Sequence, residues 1–127
     1  MNLSYQVTEG IRISAQPFFL AEQSQPSDQH FVFVYQIRIE NEGEVPARLR
    51  WRHWLIHDPV AGDQEVEGEG VVGEQPLLEP GGVYEYESFC ILGGPEGHMQ
   101  GHFEFVRGDG TSFRAGIPRF LLRIHAA

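Results

Sequence analysis

Six histidines punctuate this 127-residue chain, and four of them form two pairs at i, i+4: His53 with His57, and His98 with His102. On a helix that spacing chelates a transition metal. On a strand it separates the two rings by ~13 Å, too far for one ion, so a histidine site requires one residue from each pair to meet across strands. Glu65, Glu67 and Glu69 alternate and would share one face of a strand at ~6.6–6.8 Å between neighbours. That arrangement attracts a hard cation such as Mg2+ through oxygen and water, whereas Co2+ favours histidine. The candidate metal ligands are therefore Glu65, Glu67, Glu69, His98 and His102. A structural use of the same acids ranks above metal binding. If residues 48–57 and 64–70 form a hairpin around Pro59, Arg52 can pair with Glu65 or Glu67, each pair worth ~0.2–1 kcal/mol.

Gly68-Glu69-Gly70-Val71-Val72-Gly73 matches the G-x-G-x-x-G pattern of dinucleotide sites. Those sites need a following helix whose N-terminus faces the pyrophosphate. Gln75-Pro76 and then Pro80 leave no room for one. The pattern is better read as a glycine-rich bend or bulge between strands. A weaker reading keeps Gly68, Gly70 and Gly73 as a backbone nest for a phosphate-bearing ligand, such as a nucleotide or pyrophosphate. Glu67, Glu69 and Glu74 flank the loop, so the phosphate would come with Mg2+. Cys90 reads as a small buried hydrophobe, since a thiolate nucleophile would need His98 or His102 brought beside it. No serine sits in a G-x-S-x-G elbow, and no nucleophile–base set stands out, so an enzyme is not expected. Trp51 and Trp54, three apart, should lie on opposite faces of a strand. One is core and the other semi-exposed, with Trp54 the candidate interface anchor.

The elements that would carry these residues are strands. Phe31, Phe33, Tyr35, Ile37 and Ile39 share one face. Leu49, Trp51, His53 and Leu55 alternate with Arg48, Arg50 and Arg52. Met99, Phe103 and Phe105 alternate with His98, His102 and Glu104, and Phe120, Leu122 and Ile124 with Arg119, Arg123 and His125. Residues 83–92 form a further strand-like run. Turn signals part the runs at residues 41–43, 58–63, 79–82, 93–97 and 108–110. Residues 20–29 read as a loop. No helical period persists. Seven to nine short strands with regular turns make an all-β, antiparallel β-sandwich or barrel, in one domain spanning 1–127.

Composition narrows the function. Eighteen acids against nine arginines, with no lysine, give a net charge of −9. That excludes non-specific nucleic-acid binding and docking on an anionic membrane. The start, Met1 to Gln6, is no signal peptide, and no apolar run approaches the ~20 residues of a membrane helix. With one cysteine there is no intrachain disulfide, and the chain reads as cytoplasmic. From His53 to Val106 there are eleven acids and no arginine. A cationic partner, or a phosphate accompanied by a cation, suits that stretch better than a bare anion.

Several blocks together resemble the ApaG family: residues 67–76, Leu78-Glu79-Pro80-Gly81, Tyr84-Glu85-Tyr86, Arg52-His53-Trp54-Leu55-Ile56, Met99-Gln100-Gly101-His102-Phe103 and Ile117-Pro118-Arg119-Phe120. The order and spacing agree from about Tyr5 to Ile124. The resemblance implies a fibronectin type III-like or immunoglobulin-like sandwich. It also implies a genetic link to cobalt tolerance and magnesium efflux, and a protein-binding role by likeness to eukaryotic ApaG domains. It brings no catalytic residues. The sequence thus points first to a non-enzymatic interaction module with a protein partner. A phosphate-ligand binder at Gly68–Gly73 and a direct Mg2+ or Co2+ binder are the alternatives. Unpaired sandwich edges admit a homodimer.

Overall fold

The computed structural model describes residues 3–124. Met1 and Asn2, from the stretch read as lacking a signal peptide, and His125 of the last alternation lie outside the described residues. Among the described residues nine strands form: β1 (Ser4–Thr8), β2 (Ile11–Phe19), β3 (Phe31–Asn41), β4 (Ala47–His57), β5 (Gln64–Glu69), β6 (Leu77–Leu78), β7 (Val83–Leu92), β8 (Glu96–Val106) and β9 (Ser112–Arg123). One sheet has the order β1-β2-β3-β7. The other has the order β5-β4-β8-β9, with β6 also pairing β4. All pairings are antiparallel. The chain crosses between sheets after β3, before β7 and after β7, as in an immunoglobulin-like sandwich.

The core is the inner faces of both sheets. Ile13, Phe33, Ile37 and Ile39 meet Leu49, Phe103, Phe105 and Leu122, all fully buried. Tyr35 of one sheet packs against Trp54 and Phe120 of the other at ring distances of 5.3 and 5.8 Å. β1 and β2 are not among the runs named from the sequence. Ile11, Ile13 and Ala15 do alternate with Arg12 and Gln16, and Pro17 demotes the run on pattern alone. It nevertheless sits within β2, opposite Tyr35.

Two bulges alter which residues face inward. Between Leu49 and Trp51 the β4–β8 register shifts by one, so Arg50 is the extra residue. An extra residue reverses the parity of everything after it. Leu49 therefore points into the core as expected, but Trp51, His53 and Leu55 do not. Arg52, Trp54 and Ile56 take the inner face instead. The second bulge lies in β9, opposite Gln100, and lets Ile117 and Phe120 both be buried although three apart.

Candidate metal centre

The parity switch in β4 sends His53 and His57 to the outer face of the second sheet. β8 is the neighbouring strand, and its register sets His53 opposite His102 and His57 opposite His98. The cross-strand meeting that a histidine site requires is thus formed twice. The His53 and His102 rings lie 5.0 Å apart edge-on, and those of His57 and His98 stack at 4.6 Å.

β5 flanks β4 on the other side and carries the acids. The His53 Nε2 contacts a Glu65 carboxylate oxygen. Glu67, opposite His53 in register, accepts from the Trp51 indole N–H at 3.1 Å. The ligand atoms of His53, Glu65 and Glu67 all lie within 4.8 Å of one another. In the other row, His57 Nδ1 is 2.8 Å from Asp63 Oδ1. At the far side of β8 stands β9, with Arg114 opposite Glu104 and Arg119 Nη2 3.1 Å from His98 Nδ1.

The face therefore reads as two parallel rows, each running arginine, histidine, histidine, carboxylate across four elements. Burial, reinforced by the nearby arginines, holds the His98 and His102 rings below the usual histidine range, with Arg119 acting on His98 and Arg114 on His102. Both rings thus stay neutral near pH 7, the form that can ligate a metal. A cavity of about 340 Å³ opens between Trp51, His53, Glu67, His102, Glu104 and Arg114. One imidazole with two carboxylates, and a second imidazole adjoining, fits a first-row transition ion such as Co2+. It fits Mg2+ less well, which takes oxygen ligands.

Of the candidate ligands named from the sequence, the structure brings Glu65 and Glu67 together with His53, and sets His102 beside them. Glu69 lies opposite Trp51, outside that group, and His98 belongs to the second row. His53 was not among the candidates. The i, i+4 spacing gives no sign of which of its members turns toward β5.

The profile of the ApaG domain family matches residues 21–107, which is most of the sandwich. The chain belongs to the ApaG family. It is 48% identical over 120 residues to Protein ApaG of Anaeromyxobacter dehalogenans, covering 94% of each chain. It is 47% identical over 117 residues to Protein ApaG of Paramagnetospirillum magneticum, covering 92% of this chain and 90% of that one. The crystal structure of an ApaA protein from Bordetella pertussis superposes with a TM-score of 0.88 at 43% identity, over 97% of both chains.

The glycine block of this ApaG domain has a structural explanation at each position. Val72 and Gly73 both have positive φ (43° and 82°) and join a Val71–Glu74 bridge, the geometry of a tight two-residue hairpin turn. At Gly70 (φ 64°) a side chain would run into the Glu74 carbonyl oxygen, and at Gly68 it would press on the Arg52 guanidinium, which would have to shift slightly. The N–H groups of Gly70, Val71 and Glu74 bond to the carbonyls of Arg50, Glu74 and Val71. Two donors of the expected nest, the N–H groups of Gly70 and Val71, are thus engaged within the chain.

Three sequence expectations are corrected. Arg52 does not pair with Glu65 or Glu67. It lies on the inner face, opposite Gly68, and its Nη1 donates to the carbonyls of Glu69 and Gly70 at 2.9 and 3.1 Å. Trp54 is not an exposed anchor. The Arg50 bulge buries it to 3% exposure, and Trp51 is the tryptophan that faces outward. The third is the inward placement of Trp51, His53 and Leu55 described above. Cys90 is buried, as read from the sequence. Burial, with the Asp58 charge, pushes its thiol up to about 11, far from a reactive thiolate.

Proposed function

We propose that this ApaG chain is a non-enzymatic cytoplasmic binding module that takes a divalent transition ion on its β4–β5–β8 face. His53, Glu65 and Glu67 would hold the ion, and His102 adjoins. The observation that supports this is the gathering of three ligand atoms from two strands within 4.8 Å. The family link to cobalt tolerance would follow from sequestering or sensing Co2+, not from conducting it. No helix among the described residues is long and apolar enough to cross a membrane. Equilibrium dialysis with Co2+, read with the visible absorption of the bound ion, tests the reading. H53A should weaken binding at least about tenfold, and E67Q should weaken it too. H98A, in the other row, should leave it unchanged. Equal losses in all three variants, or none, would overturn it.

A protein partner is a second reading, supported by a different surface. Phe89 is 65% exposed on β7, an end strand, and Val34 and Phe18 continue its row across the outer face of the first sheet. An exposed apolar row beside an open strand edge is suited to protein contact. A photo-crosslinker at position 89 should then capture one partner that a crosslinker at position 109 does not, and adding F18E in the same row should lose it. Identical capture at both positions would sink the idea.

A further inference from the structure

The two sheets part at one side of the sandwich, where β7 ends the first sheet and β5 the second. A cavity of about 300 Å³ lies there, on the opposite side of the second sheet from the histidine rows. Its polar lining residues are Arg52, Tyr35, Tyr86 and Ser88. The remaining wall is apolar, with Trp54, Val71 and Met99 among its members.

Two groups in this cavity have unused donors. The ion pairs formed by arginine among the described residues use Arg12, Arg38, Arg107 and Arg123, so Arg52 is in none of them. Its Nη1 bonds only to the backbone carbonyls of Glu69 and Gly70. A guanidinium has five N–H donors in a fixed fork, so most remain to be used. The Tyr86 hydroxyl is buried and has no hydrogen-bond partner among the described residues. Such a group is a burden on the free protein that an acceptor would relieve. Burial pushes the Tyr86 phenol well above its usual range, so it remains a donor.

We propose that this inter-sheet cavity binds a small amphipathic anion, its carboxylate or phosphate-monoester head on Arg52 and Tyr86 and its apolar body against Trp54 and Met99. A guanidinium and a phenol both donate, and an anionic oxygen accepts from each. At about 300 Å³ the space suits a small metabolite and lies at the lower end of ligand-pocket sizes. The site uses side chains between the sheets, not the N–H groups of the glycine block, and does not depend on the cation face.

The test is a titration of isotope-labelled protein with 3-phenylpropionate, phenyl phosphate and the neutral 3-phenylpropionamide, followed by amide chemical shifts. At least one of the two anions should give saturable shifts at Arg52, Tyr86 and Ser88, and the tighter one names the head group. The amide should bind at least about tenfold more weakly, as expected for loss of a charge-assisted pair. Y86F removes only an unpartnered hydroxyl, so its urea midpoint should hold or rise while anion affinity falls about threefold or more. R52Q should lose binding, although it also releases the Glu69 and Gly70 carbonyls, which makes Y86F the cleaner variant. No saturable shift up to about 10 mM, equal binding of the amide, or undiminished affinity in Y86F would each overturn the proposal.

Discussion

Asp58 shows how much one buried charge can organise. Its carboxylate accepts from the N–H groups of Val60, Ala61 and Gly93 at 3.0, 2.9 and 2.9 Å, tying the β4–β5 turn to the β7–β8 turn. Burial works against its ionised form, but the three backbone donors and His57 outweigh it and hold its carboxyl below the usual aspartate range. Charged hydrogen bonds of this kind contribute about 1.5–3 kcal/mol each, partly offset by desolvation, so D58A should lose about 3 kcal/mol in urea unfolding. D58N should fall between D58A and wild type, since its amide nitrogen replaces an acceptor with a donor. The pH dependence follows from the direction of the shift. A carboxyl more acidic in the folded state stabilises the fold above the unfolded value of about 3.9, and loses that contribution as pH falls through the folded value. The wild-type urea midpoint should therefore drop between about pH 5 and pH 3 more steeply than that of D58N. Parallel curves would remove Asp58 as the cause.

Strands and their registers decide which residues meet. The alternations at Phe31–Ile39 and Met99–Phe105 were legible because neither strand gains an extra residue there, and the inner faces follow the sequence. β4 was legible only as a strand. Nothing in Arg48-Leu49-Arg50-Trp51-Arg52 marks Arg50 as the bulge, because every second residue is an arginine on either reading. The error propagated to Trp54, Arg52 and His53, since parity is inherited along a strand. The histidine pairing was legible only as a condition, because strand order β5-β4-β8-β9 is a tertiary fact. Gly101 reflects the same closeness of β4 and β8. A side chain there would collide with the His53 carbonyl. G101A should therefore cost about 3 kcal/mol and move β8 from β4, by the ordinary penalty of overpacking. It should also disturb the His53–His102 contact and weaken Co2+ binding, although it alters no ligand. Thermal unfolding checks the first expectation and dialysis the second. Unchanged stability would show that the strands accommodate the methyl group by a shift.

Across the whole molecule, the charge of −9 is sorted by the fold more sharply than by the chain order. The outer face of the second sheet runs from carboxylates on β5 and its approach, through histidines on β4 and β8, to Arg114 and Arg119 on β9. A cation is drawn to the β5 side and repelled from the β9 side, so the gradient favours His53, Glu65 and Glu67 over the rest of the face for the proposed ion. His98 and His102 are held neutral in the folded state, so their contribution to stability is present above the ordinary histidine value of about 6.5 and is lost as pH falls below it. Protons compete with the ion for His102, which adjoins it, so Co2+ affinity should fall between about pH 7.5 and pH 5.5, with most of the fall below the ordinary histidine value of about 6.5. Because the face is exposed, the gradient is also screened. Raising salt from about 0.05 to 0.5 M should weaken Co2+ binding several-fold as the Debye length shrinks. R114Q should do the reverse. Arg114 acts on His102 across the row, and removing its positive charge should raise Co2+ affinity a few-fold at low salt, about threefold or more. The gain should vanish in high salt. An R114Q affinity equal to wild type at low salt would mean that the ion binds away from the histidine rows.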